Sequence, residues 1–238
     1  MSFENSQTVE YGVNPLPERR AAIAQAYRTI ARYPVYLAIA TTGWDFFPEW
    51  GKAARSSEEI LEICILESDG RVLFESLVKP RGSISDYAYC VHRITKRMVK
   101  DAPTWENVLA QVNQVLAARH VAVYDAERKL RVLAQTNALY NLSWTVDTRS
   151  CFCVKRLYAH FNGKVYADGL NSTWLGVWHA ARNLGIPHGK WHRAHEDAQL
   201  TRAVLKHIAA KYVVQPPDAP LPRRVSRMER WLRRILDF

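Results

Sequence analysis

Few side chains in this 238-residue sequence combine a reactive type with a spacing that chemistry could use. His192-Arg193-Ala194-x-x-Asp197 sets an imidazole five positions ahead of a carboxylate at the entry to a helix, although His192 by itself reads as a surface histidine. Cys151-x-Cys153 offers two thiols, but the spacing is too short for a structural zinc site and alternates along a strand, so both read as core. With Cys64 and Cys90 they make four cysteines, too few for a disulfide framework, and a reduced chain is expected. Trp174, Trp178 and Trp191 could stack on bases, yet Trp174 and Trp178 stand at the i, i+4 spacing of a packed helix face. Thirty-three basic against 23 acidic side chains give a net charge of +10, which favours an anionic partner, nucleic acid first, without specifying a fold.

The elements that would hold these residues follow from hydrophobic period. No run approaches the roughly 18 apolar residues of a membrane span. The N-terminus lacks a basic segment followed by an apolar one, so no secretory signal is read and a cytoplasmic chain is expected. Residues 1–17 are mostly polar and end in Asn14-Pro15-Leu16-Pro17, an irregular arm before a helix starting at 18 with Ile23, Tyr27 and Ile30 on one stripe. Val35 to Ala40 is an apolar run of strand length stopped by Thr41-Thr42-Gly43, and Ile60–Leu66 and Val72–Val78 flank the hairpin signal Asp69-Gly70. Ile94 to Val99 reads as a short helix. A longer one follows with Trp105, Val108, Leu109, Val112 and Leu116 in register behind the capping candidate Thr104. A strand over His120–Tyr124, a helix through Leu130 and Leu133, a fifth strand at Leu142–Val146 or Cys151–Val154, and helices over Ser172–Leu184 and His195–Tyr212 complete an α/β domain spanning 18–214. Residues 215–222 hold four prolines and act as a stiff linker. Residues 223–238 form a basic amphipathic tail helix whose Arg223, Arg227, Trp231 and Arg234 could dock on an acidic protein groove or on nucleic acid.

Five segments taken together resemble one family: Ala38-x-Ala40-Thr41-Thr42-Gly43, the hairpin, Val91-His92-Arg93-Ile94-Thr95, Tyr124-Asp125-Ala126 and His192-Arg193-Ala194-x-x-Asp197-Ala198. Between about Arg20 and Ala210 the chain is similar to the DnaQ-like (DEDDh) 3′–5′ exonucleases. The resemblance implies a ribonuclease H-like fold, a five-stranded mixed sheet with helices on both faces. It also implies four carboxylates holding two Mg²⁺ or Mn²⁺ ions that clamp the attacking water and the leaving oxygen of a phosphodiester. By this resemblance His192 matches the general base and Asp197 the last metal ligand. Ala38 and Ala40 stand where the first motif has its two acids, and Lys129 stands where the second has its aspartate, with Asp125 on the asparagine and Arg128 on the aromatic position. A methyl cannot bind a metal, and a lysine puts a cation where one should be bound. Glu196, Asp125 and Glu127 are the nearby acids that could be asked to substitute. Thr41, Thr42, Lys129, Arg93 and Arg193 are the candidates for contact with a single strand or 3′ end, although Thr41 and Thr42 also read as turn formers. His92 reads as a packing or helix-start residue, since Arg93 replaces the family's glycine and crowds any close approach.

Two readings of the missing acids differ in class. The first is a catalytically inactive exonuclease-like module that binds nucleic acid, a protein partner or both, and holds no metal as written. The second is a metal-dependent 3′–5′ exonuclease into which Ala38 and Ala40 were introduced. Arg128 and Lys129 favour the first, because disabling a nuclease does not require rewriting the second motif.

The stiff linker and the apolar stripe beyond it generate a first prediction. Deleting Arg223 to Phe238 leaves the melting temperature of the domain unchanged and removes a partner in pull-downs. A truncated protein that melts much earlier and keeps its partners assigns the segment to the core instead.

Overall fold

The structure, a computed structural model, describes residues 15–43, 58–143, 150–163, 176–190 and 192–212. Linker residues 215–222 and the tail with Arg223, Arg227, Trp231 and Arg234 lie outside the described residues, as do Trp174, Trp191 and residues 1–14.

Five strands form one sheet in the order β3-β2-β1-β4-β5. Strand β1 (Val35–Thr41) is central, pairing antiparallel with β2 (Ile60–Leu66) and parallel with β4 (Val121–Val123). β2 continues antiparallel into β3 (Val72–Leu77), and β4 runs parallel to β5 (Cys151–Cys153). Every residue of β1 and β2 is buried, as strands covered on both faces must be, while the edge strand β3 alternates between half-buried and exposed.

Period-two alternation divides the core into two layers. Tyr36, Ala38, Cys64, Leu66, Ala122 and Tyr124 face one way and pack with residues of α6 (Val154–Asn162), α7 (Val177–Asn183) and α8 (Ala194–Ala209), and with Ala22 and Ala26 of α1 (Pro15–Ile30). Val35, Leu37, Ile39, Ile63, Ile65, Val121 and Val123 face the other way, against α4 (Trp105–Leu116) and α5 (Ala126–Leu139). The fully buried Trp105 donates its indole N–H to Asn137 Oδ1 at 2.7 Å, so a large ring enters the core without an unsatisfied donor.

The differences from sequence expectation have local causes. Helix α1 begins at Pro15 rather than 18, because proline is tolerated in a first turn whose N–H groups have no helical acceptor. The fifth strand is Cys151–Cys153, its Val154 passing directly into α6, a helix the sequence pattern did not separate from the strand. An unexpected helix α2 (Asp86–His92) is started by Ser85, whose hydroxyl accepts the Ala88 N–H at 3.1 Å, and the short helix before the Trp105 helix is only α3 (Lys96–Val99).

Helix α2 ends on Arg93 in the left-handed region, φ 60° and ψ 20°, its N–H bonded to Tyr89 O. That conformation suits glycine: the backbone turns left to release Ile94 into the core, where it is fully buried. An L-residue there costs about 1–2 kcal/mol. Arg93 offsets part of it by laying its guanidinium over the Tyr89 ring, 5.0 Å from the centroid. Arg93→Gly is expected to stabilise the fold by about 1 kcal/mol, read as an upward shift in denaturant midpoint with unchanged slope. A fall in midpoint would show that the arginine's contacts outweigh its backbone strain.

Candidate functional site

The site lies where β1 runs out, above the first turns of α5 and α8. On β1, Ala38 is wholly buried in the layer under α8, and Ala40 packs with Leu61, Ile94 and Val99. Neither position offers a ligand atom. A bulge between Ala40 and Thr41 breaks the register with β2 and turns the chain into Thr41-Thr42-Gly43.

Thr41 and Thr42 are 6% and 5% exposed, and their hydroxyls serve the chain itself. Thr41 Oγ1 is within bonding distance of Gly43 O (3.0 Å) and of the Glu58 carboxylate, while Thr42 Oγ1 accepts the Glu59 N–H at 2.9 Å. These bonds are those of the turn-forming reading. Glu59 in turn accepts the N–H groups of Arg81 and Gly82 at 2.9 and 2.6 Å and the Tyr140 hydroxyl at 3.1 Å.

His92 ties this turn to α2. Its Nδ1 accepts the Ile94 N–H at 2.9 Å, which leaves the proton on Nε2, 3.1 Å from Thr41 O. The ring is 3% exposed and burial holds it below the usual histidine range, against the raising effect of the Thr41 carbonyl. It is the packing residue the sequence indicated.

The loop before α8 and its first turn bring in His192 and Asp197. His192 Nδ1 lies 3.5 Å from Asp197 Oδ1, and the ring stands edge-on to Trp178 with centroids 5.7 Å apart. Asp197 Oδ1 is buried without a hydrogen-bond partner among the described residues, and 3.5 Å is long for one to His192. Its electrostatic companion is Lys129 in the first turn of α5. Burial pulls the Lys129 ammonium below the usual lysine range, and the Asp197 carboxylate pulls it partly back. Lys129 is 6% exposed, so its amine lies inside the site rather than on its surface.

Sequence reasoning missed Glu58 and Glu62, which the fold brings in, both nearly fully buried. Glu62 sits opposite Ala40 on β2, the one charge in a strand otherwise built from Ile, Leu and Cys, and that isolation in an apolar run was the available signal. Its carboxylate takes Arg193 Nε at 3.0 Å from both oxygens and the Ala194 N–H at 2.7 Å, capping α8 from the neighbouring strand. Glu58 binds Arg128 and the Thr41 hydroxyl. Arg193 and Arg128 are thus committed to internal acids. The acids nearest in sequence are spent elsewhere or turned away: Glu196 accepts the Gly189 N–H, Asp125 pairs with Lys155 at 3.1 Å, and Glu127 is exposed. An open cleft of about 460 Å³ beside α8 is lined by Trp178, Lys190, His192, Glu196 and Asp197.

Tested against two divalent ions, this donor set does not fit. Ala38 and Ala40 bring no ligand atom, Lys129 brings an amine, and among the described residues the acids near Asp197 already face arginines, a lysine or a backbone N–H.

A five-stranded mixed sheet in this order, with helices on both faces and a His-x₄-Asp pair at the head of its last described helix, defines an exonuclease domain of the ribonuclease H-like fold. The chain belongs to the exonuclease (RNase T) family, whose family model matches residues 41–205, starting one residue beyond Ala40. It is 32% identical over 157 residues to the uncharacterized exonuclease CP81 of Escherichia phage 186, covering 63% of this chain and 80% of that protein. Among solved structures it is similar to the nuclease domain of 3'hExo, a DEDDh family member, bound to rAMP. That similarity has a TM-score of 0.60 and 15% identity, over 76% of this chain and 93% of that one. It is also similar to a 3'-exonuclease in a structure described as 3'-end specific recognition of histone mRNA stem-loop, with a TM-score of 0.59 and 15% identity. That match covers 75% of this chain and 65% of that one, so this chain spans just under two thirds of that exonuclease. No described helix is long and apolar enough to cross a membrane.

The neutral, buried His92 has a consequence for stability. The unfolded chain protonates it near about 6.5, whereas the folded site holds it neutral to lower pH. Unfolding in mild acid therefore takes up a proton, and stability present above about 6.5 is lost as pH falls toward the depressed folded value. Burial lowers His179 and His207 in the same direction. Chemical denaturation across this range is expected to give stability rising with pH, with a shallower rise in His92→Gln. An unchanged slope in that variant would remove His92 from the account.

Proposed function

We propose that this chain is a non-hydrolytic exonuclease-like module that binds single-stranded nucleic acid or a 3′ end by charge. The observation that carries the reading is Lys129, a buried lysine in the field of Asp197 at the position where the sequence resemblance expects an acid, with alanines at positions 38 and 40. A metal nuclease stabilises the developing charge of phosphoryl transfer with dications held by carboxylates. Here Glu58, Glu62 and Asp125 already face Arg128, Arg193 and Lys155, which leaves few carboxylates free to hold such ions. His192 can still orient and accept a proton in the cleft, but proton transfer contributes only about 10²–10⁴-fold and does not replace that stabilisation.

The same burial bears on which residues touch the ligand. Lys129, Thr41 and Thr42 face inward and Arg193 is held by Glu62, whereas Arg93 is exposed beside Tyr89, with exposed Lys96 and Arg97 following it. This rim supplies phosphate contacts and an aromatic face at the edge of the site. A partner through Arg223, Arg227, Trp231 and Arg234 is part of the same proposal, and a cytoplasmic setting fits a reduced chain with free cysteines.

Two measurements test it. End-labelled single strands incubated in Mg²⁺ or Mn²⁺ are expected to keep their length, and Ala38→Asp with Ala40→Glu is expected to recover little unless Lys129→Asp is added. Stepwise shortening that vanishes in His192→Ala would overturn the proposal and support a working nuclease. Binding is expected to weaken steeply with salt, by about 0.7 log units per log unit for each phosphate contacted. Lys96→Ala and Arg97→Ala are each expected to lower that slope by about one contact. Affinity that is negligible at low salt would leave a protein-binding scaffold.

A further inference from the structure

One rung of the sheet beside the site carries a second set of ligand-type side chains that the family's chemistry does not use. Ala38, Cys64 and Glu75 are paired directly across β1, β2 and β3, and His195 comes down over them from the first turn of α8. Direct pairing on neighbouring strands puts Cβ atoms about 5 Å apart on one face, so Cys64 and Glu75 are brought together by the sheet itself. His195 Nδ1 stands 3.2 Å from Glu75 Oε2 and 4.0 Å from Cys64 Sγ, and the ligand atoms of all three lie within 4.8 Å of one another. The thiol is buried at the floor, while the carboxylate and imidazole side chains are 40% and 42% exposed at the rim.

We propose that Cys64, Glu75 and His195 form a binding site for one zinc-class divalent ion that pins the head of α8 to β2 and β3. A tetrahedral zinc with bonds of about 2.0–2.3 Å separates its donors by about 3.5 Å. The observed 3.2 and 4.0 Å bracket that value, and the third pair, Cys64 to Glu75, lies within 4.8 Å. One sulfur, one nitrogen and one oxygen donor select a borderline ion such as zinc or cobalt over magnesium, which takes oxygen. The fourth position opens to solvent, between the exposed ends of Glu75 and His195.

Burial, then Glu75, then Glu62, push the Cys64 thiol up to about 12, so coordination has to displace a proton: Sγ gives it to solvent and binds the ion as thiolate. Glu62 stays with Arg193 and caps α8, so it supplies field rather than a bond. None of the three ligands is a position from which the family holds its catalytic metals, so the inference stands whether or not the chain hydrolyses nucleic acid.

The test uses the full chain, stripped by chelator and titrated with Co²⁺. A thiolate-to-cobalt charge-transfer band that saturates at a single ion per chain and is displaced by Zn²⁺ is expected. It should be absent in Cys64→Ser, and affinity should fall about tenfold or more in Glu75→Gln and in His195→Ala. Glu75 is on the surface of an edge strand, so its variant reports even if Cys64→Ser fails to fold. Zn²⁺ is expected to raise the melting temperature of the wild type and not of Glu75→Gln, with Mg²⁺ raising neither. No band with excess Co²⁺ would overturn the proposal. So would a band that persists in Cys64→Ser or an affinity unchanged in Glu75→Gln, since either assigns the ion to other groups.

Discussion

Carboxylates buried at one end of a sheet need positive charge beside them, and the way this chain supplies it governs the arrangement around β1. Removing an acid from water costs several kcal/mol unless a cation or a set of N–H donors replaces the solvent. The three buried glutamates at the head of β2 are each answered: Glu58 by Arg128, Glu59 by the Arg81 and Gly82 amides and the Tyr140 hydroxyl, Glu62 by Arg193 and the N-terminus of α8. The Asp197 carboxylate, for its part, favours the protonated form of the buried Lys129 amine against the effect of burial.

That arrangement links stability with site architecture. The salt bridge between Glu62 and Arg193 fixes the entry of α8, and α8 in turn covers the face on which Tyr36, Ala38 and Cys64 are buried. His92 ties the end of β1 to α2, and its neutral state is imposed by the same burial that lets Ile94 fill the core. The left-handed Arg93 between them is a local cost carried by the packing on either side. Stability and the geometry of the cleft thus rest on the same short segments, residues 38–43, 58–62, 91–94 and 192–197.

The strand pattern was legible because each strand carries its own signal. Val35 to Ala40 is an uninterrupted apolar run, and Asp69-Gly70 between two β-branched and aliphatic segments specifies a hairpin whatever surrounds it. Helix α4 declared itself through one stripe ending in Leu116. Less legible were α2, whose seven residues are too few to show a period, and α6, which starts on the residue after β5 without a loop. A short element has little local preference, and its identity is fixed by the surface it lands on.

By itself the sequence determined the fold class and the family, since these depend on residue identity and hydrophobic period at fixed spacing along the chain. Only the tertiary structure decided which charges meet. Glu62 and Arg193 are 131 residues apart, and so are Cys64 and His195. Nothing in either local segment announces its partner. Strand pairing brings Ala40 beside Glu62 and Cys64 beside Glu75, and the docking of α8 on that face lays Arg193 and His195 over them. Coulomb energy depends on separation in space and on the dielectric around the pair, and both exist only once the sheet has formed and its helices have closed over it.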